Sequence, residues 1–210
     1  MVHSKKHLNF NALIRTVSER VSGIAEHRQN GKVDYPIHDC CMSALAMMFF
    51  QDPSMLAFQS RLEYAVNKNN LKTMFNVTDI PKSTQLRDVI DEVEPFELET
   101  IFHDFFKPLQ RGKHLDLFRF LDDQYLISID GTQYFYSEKI SCPHCLRKKA
   151  KNGRAYYHQI MAASMVCPGI RQIIPMAPEP IANTDGATKQ DCEINAAKRL
   201  IPKIRRTHPK

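Results

Sequence analysis

The hydrophobic period of this sequence changes near residue 120, and that change constrains the fold more than any other feature. Before it, apolar residues recur at three- and four-residue steps, as on one face of a helix. This spacing is shown by Leu13, Val17, Val21 and Ile24. After it, residues 125–129 (YLISI) form a short, β-branched, apolar run typical of a buried strand. The sequence therefore predicts a helical part over residues 1–120 and a mixed part, α+β or α/β, over residues 121–210.

Turn and cap residues divide the helical part. The first helix region is expected to end at Gly31, and a helix that is apolar nearly all round begins at Pro36. Ser54 is a cap for the next helix. Further helices are predicted over residues 62–75, residues 83–93 with Ser83 as cap, and residues 96–109. The pair 62–75 and 83–93 resembles a helix-turn-helix with a long loop; ordinary packed helices are the favoured alternative.

The mixed part continues with a predicted hairpin and a final helix. Residues 156–166 and 172–176 are strand candidates, and the turn residues 167–169 between them indicate a hairpin. A loop is expected at Asn183, Asp185 and Gly186, and Thr188 with Asp191 can cap the last helix. The buried stripe of this helix would consist of Ala196, Ala197, Leu200, Ile201 and Ile204.

Positive charge is concentrated in the last third of the chain. Residues 131–210 hold fourteen Lys/Arg and five Asp/Glu, a net charge of +9, whereas residues 79–130 hold six and twelve, a net charge of −6. A positive field suits a polyanion such as DNA, and a solvated basic surface is the alternative. Two clusters carry the charge: Arg147, Lys148, Lys149, Lys151 and Arg154 in a predicted protruding loop, and Lys198, Arg199, Lys203, Arg205 and Arg206 near the C-terminus. Since neither cluster is interleaved with aromatic residues, contact with the phosphates of double-stranded DNA is favoured over stacking on bases.

Cys142 and Cys145 form a Cys-x-x-Cys pair. This spacing can supply half of a tetrahedral zinc site, which His158 and Cys167 complete only if the fold brings them close. A reduced pair in a basic surface loop is favoured on the residues alone. Because the sequence shows neither a secretory signal nor a membrane span, the six cysteines are expected to be thiols of a cytoplasmic protein.

Asp130 is the candidate catalytic residue. It directly follows the YLISI strand and precedes Gly131. A carboxylate at a strand end can be held in place to bind Mg²⁺ together with water and phosphate oxygens. Asp-Gly is also a common turn pair, and the local context favours that turn.

Five blocks in order carry a resemblance to a known family: YLISIDGTQYF, CPHC, AYYHQIMAASMV, IIPMAPEPI and DGATKQDCEINAAKRL. Together they resemble one branch of the DDE transposases of bacterial insertion sequences, from about Tyr35 onward. The resemblance implies an RNase H-like fold after residue 120, with three antiparallel strands, a helix and a fourth strand parallel to the first. It also implies that Asp130 is the first of the carboxylates that bind Mg²⁺ for DNA cleavage and joining.

The other two carboxylates implied by the resemblance, an aspartate after the fourth strand and a glutamate on a later helix, have no counterpart here. One carboxylate cannot hold two metal ions, and the carboxylates of Glu179, Asp185, Asp191 and Glu193 fall at loop and helix positions. The chain is therefore expected to be the N-terminal portion of a transposase and to be inactive by itself. Pro202, inside the final helix, is a second departure from the family.

Without the fourth strand, residues 125–129 are expected to expose an edge and to favour self-association. The alternatives are a non-catalytic DNA-binding protein, such as a terminal-repeat binder or repressor, and a zinc-organised interaction module.

Overall fold

The computed structural model describes residues 8–29, 31–151, 153–183 and 189–208. The chain divides into two units, Met1–Pro108 and Leu109–Lys210. The first is helical, and the second combines an antiparallel sheet with a helix, so the mixed α+β class predicted from the sequence is confirmed. Among the described residues, no helix combines the length and apolar character needed to cross a bilayer.

Helix α2 is the centre of the first unit. Its apolar residues face two separate clusters, one with Met42 and Ala46 against Phe58 and Phe75, the other with Ile37 and Cys40 against Leu86 and Val89. A helix that is apolar nearly all round can bury two faces, which confirms its predicted core position. The helices of this part of the chain are α1 Phe10–Ser22, α2 Ile37–Phe49, α3 Met55–Leu62, α4 Ala65–Phe75, α5 Ser83–Asp91 and α6 Pro95–Arg111.

The ends of these helices correct several predicted boundaries. Ser54 caps α3 as expected, since its hydroxyl accepts a hydrogen bond from the backbone N–H of Ala57 at 3.1 Å. Helix α1 ends at Ser22 rather than near Gly31, because Gly23 closes it with bonds to preceding carbonyls. Ser83 is the first residue of α5 and not its cap; the carbonyl of Lys82 accepts the bond from the N–H of Leu86.

The central strand β4 organises the second unit. Strand β2 runs antiparallel along one edge of β4, and β3, β6 and β5 pair in turn with its other edge. The predicted hairpin of residues 156–166 with 172–176 is confirmed in shorter form, with Ser164 opposite Pro175. The elements are a 3₁₀ helix His114–Phe118, β1 Arg119–Phe120, β2 Gln124–Ser137, β3 Leu146–Ala150, β4 Gly153–Val166, β5 Ile174–Pro175, β6 Glu179–Ile181 and α7 Glu193–Thr207.

Two predictions about local structure in this unit are wrong. Residues 147–154, predicted as a protruding loop, form the hairpin of β3 and β4, with Lys149 opposite Arg154. Strand β2 does not stop at Ile129 but continues to Ser137, because its pairing with β4 extends over that whole length. Backbone pairing thus overrides the turn character of Asp-Gly and the polarity of the lysine run.

Helix α7 packs on one face of the sheet. Ala196 and Leu200, four residues apart, are fully buried as predicted, whereas Ile201 is 47% exposed because it lies about a quarter-turn away. The N-cap of α7 is Cys192, one residue after Asp191, whereas the sequence predicts a cap formed by Thr188 with Asp191. Asp185, Gly186 and Thr188, also assigned to this loop and cap, lie outside the described residues.

The adjacent pair Leu200 and Ile201 tests this packing. Leu200→Ala should lower the free energy of unfolding by about 2 to 5 kcal/mol, since it removes a fully buried side chain and leaves a cavity. Ile201→Ala should change it by less than about 1 kcal/mol. Urea denaturation followed by tyrosine fluorescence measures both. Equal effects of the two substitutions would contradict the orientation of α7.

Candidate functional site

Asp130 lies in the interior of β2. It is paired with Ala162 of β4 and is exposed, and its Oδ1 accepts a hydrogen bond from the N–H of Gly131 at 2.9 Å. The strand-end and turn positions predicted from the sequence are therefore both wrong. A residue in the middle of a long ladder is held more firmly than a turn residue, so the carboxylate has a well-defined position.

The carboxylate of Glu193 lies near this strand but on the opposite face. A Cβ atom on Gly131 would overlap the Glu193 carboxylate and the amide of Gln159, which places both of these groups on the face toward which Gly131 is turned. Since successive residues of a strand point to opposite faces, Asp130 points away from Glu193. The carboxylates of Asp130 and Glu193 therefore lie on different faces of the sheet.

The basic hairpin, residues 146–154, presents five exposed cations: Arg147, Lys148, Lys149, Lys151 and Arg154. Register places Lys149 directly opposite Arg154, so two positive charges share one face of the hairpin. Four of these side chains, those of Arg147, Lys148, Lys149 and Arg154, line a groove of about 510 Å³ together with Gly153. Like charges directly opposite each other on neighbouring strands repel unless an anion lies between them, so the groove favours an anionic ligand.

Aromatic rings surround this hairpin although the sequence shows none within it. The Lys148 ammonium lies 5.1 Å from the ring centre of Tyr136 and 4.8 Å from that of Tyr157, and Arg147 lies 6.0 Å from Tyr156. These are cation–π distances. The rings come from β2 and β4, so only cross-strand pairing brings them to the lysines, and sequence spacing could not reveal them.

The second predicted basic cluster divides into two kinds of residue. Lys198, Arg205 and Arg206 are exposed. In contrast, Arg199 Nε donates to the buried carboxylate of Glu179 at 2.7 Å, and Lys203 Nζ donates to the same carboxylate at 2.8 Å. Arg199 and Lys203 thus attach α7 to β6.

Asp191 completes this ion-pair network. Its Oδ2 accepts a hydrogen bond from Arg199 at 2.8 Å. Burial acts to raise the pKa of Asp191, but the bonds from Arg199 and from the backbone N–H of Cys192 outweigh it and lower that pKa. The same carboxylates raise the pKa of Arg199, which stays charged at every pH of interest.

Cys142, Cys145 and His158 come together at the base of the basic hairpin. The two sulfur atoms lie 3.6 Å apart, and His158 Nε2 lies 3.3 Å from each of them. Cys145 is buried and Cys142 is exposed, so the predicted surface-loop position holds for only one of the pair. Of the two further ligands considered from the sequence, His158 joins the cluster; Cys167 instead lies near the carbonyl of Arg119.

Packing fixes the His158 ring and its protonation. Tyr134 stacks on it at 5.8 Å and Phe135 contacts it at 5.5 Å between ring centres. Burial, with a contribution from the charge of His144, lowers the pKa of His158. At neutral pH the ring is therefore uncharged, and one nitrogen has a free lone pair.

A polar cluster in the first unit has the hydrogen-bond order of a catalytic triad. Ser18 Oγ lies 2.8 Å from His38 Nε2, and His38 Nδ1 lies 2.8 Å from Asp39 Oδ1. However, Ser18 is buried, and the cluster lines neither the groove of the basic hairpin nor a second groove, which lies around His27 and Asp88. The other oxygen of Asp39 accepts bonds from the N–H groups of Thr78 and Asp79. The cluster therefore serves to hold the loop after α4 against α2.

Comparisons with protein-family models, with curated proteins and with solved structures found no match to this chain.

Arg199 and Arg205 form a matched pair that separates structural from surface charge. Arg199→Ala should destabilise the protein by about 1 to 2 kcal/mol, because it removes charged hydrogen bonds to a buried carboxylate. Arg205→Ala should have little effect. The difference should be full at neutral pH and should shrink as the pH falls below about 4, since protonation of Asp191 breaks the pair. Urea denaturation at several pH values measures it; a difference that grows in acid would contradict this role.

Proposed function

We propose that the protein binds double-stranded DNA through its phosphates, with the basic hairpin as the principal contact surface. The observation that carries this proposal is the state of the hairpin cations: none of the five forms an ion pair with a carboxylate in the part of the chain that the structure describes. Surface cations clustered on one hairpin without carboxylate partners are suited to displace counterions from a phosphate backbone.

The individual cations differ in how freely they can reach a phosphate. Lys148 donates to the amide oxygen of Gln133 at 3.0 Å and lies over two tyrosine rings, so binding DNA would have to compete with these contacts. Lys149, Lys151 and Arg154 have no such contact among the described residues and flank the turn of the hairpin. These three are expected to dominate the electrostatic part of binding.

We further propose that this DNA binding belongs to a protein of the DDE transposase type, with Asp130 as a metal ligand. Support comes from the position of Asp130: it is exposed and held by a long strand, as a first metal ligand requires. Two-metal phosphoryl transfer needs further carboxylates beside it. They would have to be brought to Asp130 from outside the described residues, for example by a strand that pairs with the outer edge of β2.

A non-catalytic DNA-binding protein is the second candidate. It is favoured because the one group of side chains that could hold a metal ion among the described residues consists of Cys142, Cys145 and His158 and does not include Asp130. A repressor or terminal-repeat binder needs the basic hairpin but not Asp130. The two candidates therefore share the DNA surface and differ in whether Asp130 binds a cation.

The DNA surface is tested by reversing its charges. Lys149→Glu, Lys151→Glu and Arg154→Glu together should greatly weaken binding of a labelled duplex and should make the log–log dependence of affinity on salt shallower by roughly 3. The control reverses Lys32, Lys68 and Lys72, exposed residues of the first unit, which changes the net charge equally. Fluorescence anisotropy at several salt concentrations measures both. The same loss in both triple variants would show that net charge, and not the hairpin, governs binding.

Asp130→Asn tests the proposed metal ligand. In the unchanged protein, Mn²⁺ should broaden the amide NMR signals around residue 130 at high cation concentration, because one carboxylate binds a hard cation weakly. The substitution should abolish this broadening and leave duplex binding unchanged. If broadening persists with asparagine at this position, Asp130 is not a ligand, and the non-catalytic candidate is favoured.

A further inference from the structure

The thiols of Cys142 and Cys145 and the Nε2 atom of His158 converge on one point at the base of the basic hairpin. We propose that these three side chains bind one Zn²⁺ ion, with solvent as the fourth ligand, and that this ion attaches the loop before β3 to the central strand β4. The inference is independent of the DNA-binding function proposed above.

The spacing of the three atoms is that of a tetrahedral zinc site. With Zn–S distances of about 2.3 Å and Zn–N distances of about 2.0 to 2.1 Å, two sulfur ligands are about 3.8 Å apart, and sulfur and nitrogen about 3.6 Å apart. The observed separations are 3.6 Å between the sulfurs and 3.3 Å from each sulfur to the nitrogen. An ion therefore needs only a few tenths of an ångström of expansion to enter.

The chemistry of the three ligands selects the metal. Thiolate and imidazole are preferred by Zn²⁺, whereas Mg²⁺ and Ca²⁺ take oxygen ligands. The backbone N–H of Cys142 donates a hydrogen bond to Cys145 Sγ at 3.3 Å, which helps to fix the position of that sulfur. The Nε2 atom of His158 lies 3.3 Å from each sulfur, and an imidazole nitrogen is a usual zinc ligand.

The surrounding contacts hold the ligands in place. The amide Nδ2 of Asn183, beyond β6, donates to the carbonyl of Cys145 at 2.8 Å, and the Cys145 N–H donates to the Cys142 carbonyl at 3.2 Å. The His158 ring packs against Tyr134 and Phe135, so contacts support both the cysteine loop and the histidine. Such supporting contacts are typical of functional metal sites.

The fourth coordination position is left to solvent because the described side chains supply three ligands. His144, inside the Cys-x-x-Cys pair, has Nδ1 3.4 Å from the carbonyl of Asn183 and is not part of the three-residue cluster. Cys142, at the exposed end of the site, leaves room for a water molecule. A site with three protein ligands and one solvent ligand follows.

The position of the site gives the ion a structural task. Cys145 immediately precedes β3, whose first residue, Leu146, pairs with Tyr157, the neighbour of His158. An ion bound to Cys145 and His158 therefore ties together the two strands of the basic hairpin at their open end, away from the turn between Ala150 and Gly153. Binding to the folded protein alone raises its stability.

The test is metal content of the full chain, purified in reducing buffer, stripped with chelator and dialysed against Zn²⁺. One equivalent of zinc by mass spectrometry and a higher Tm than the stripped protein are expected. Cys142→Ser and His158→Ala should each lose the zinc; Cys167→Ser and Cys192→Ser, as matched thiol controls, should retain it. Because Cys142 is exposed, its substitution tests the site even if a change at buried Cys145 prevents folding.

Cobalt replaces zinc as a spectroscopic probe of the ligands. Co²⁺ should give thiolate charge-transfer and visible bands of a four-coordinate site, and Cys142→Ser should remove them. His144→Ala should leave these bands unchanged. If the bands are lost in this variant, His144 and not solvent is the fourth ligand. Absence of zinc from the reduced protein, or zinc retained equally by Cys142→Ser, would overturn the site. So would a Cys142–Cys145 disulfide that persists in reducing buffer.

Discussion

The backbone ladder between β2 and β4 is the interaction on which the second unit depends. It runs from Leu126 opposite Val166 to Ser137 opposite Tyr156, and it continues past Asp130 and Gly131 although an Asp-Gly pair favours a turn. This ladder converts a turn aspartate into one held in mid-strand. It also makes β4 a central strand, so that β3, β5 and β6 can all pair with its remaining edge.

Strand alternation then separates the chemistry of the sheet into two faces. Ala155, Met161, Ala163 and Met165 of β4 are buried, and the face they share carries Gly131 and the contact with α7. His158 and the partner of Asp130, Ala162, belong to the opposite face. Buried packing and candidate ligands therefore occupy different faces of the same strand. A one-residue slip of β2 against β4 would turn Asp130 to the face of α7 and Gly131 to the other face, so the register determines which side chains can act together.

The sequence predicts those elements that are stabilised by residues close to one another along the chain. It does not predict structure that depends on pairing between distant segments. Helices α1 and α2 follow from the spacing of their own apolar residues, and Ser54 caps α3 through a neighbour three residues away. The sequence does not predict the basic hairpin, because its residues have low strand preference and only pairing with β4 holds them extended. His158 was one of two possible partners for Cys142 and Cys145. Choosing it over Cys167 requires the register of β3 against β4, which spacing along the chain does not contain.

The outer edge of β2 shows how the same strand limits association. Beyond Tyr125, which pairs with β1, no described strand covers this edge. An uncovered edge invites pairing with another chain, and sheets resist this with charged residues and bulges in the edge strand. β2 has both: Asp130 in its centre, and an irregularity between Gln133 and Phe135 where the register shifts. A partner strand can run straight only over residues 126–132, and it must place its own side chains beside a carboxylate. A strand that brings a metal ion or a cation to Asp130 balances the charge of its carboxylate. A second copy of β2, aligned at Asp130, would instead place another carboxylate beside it, and the two like charges would repel.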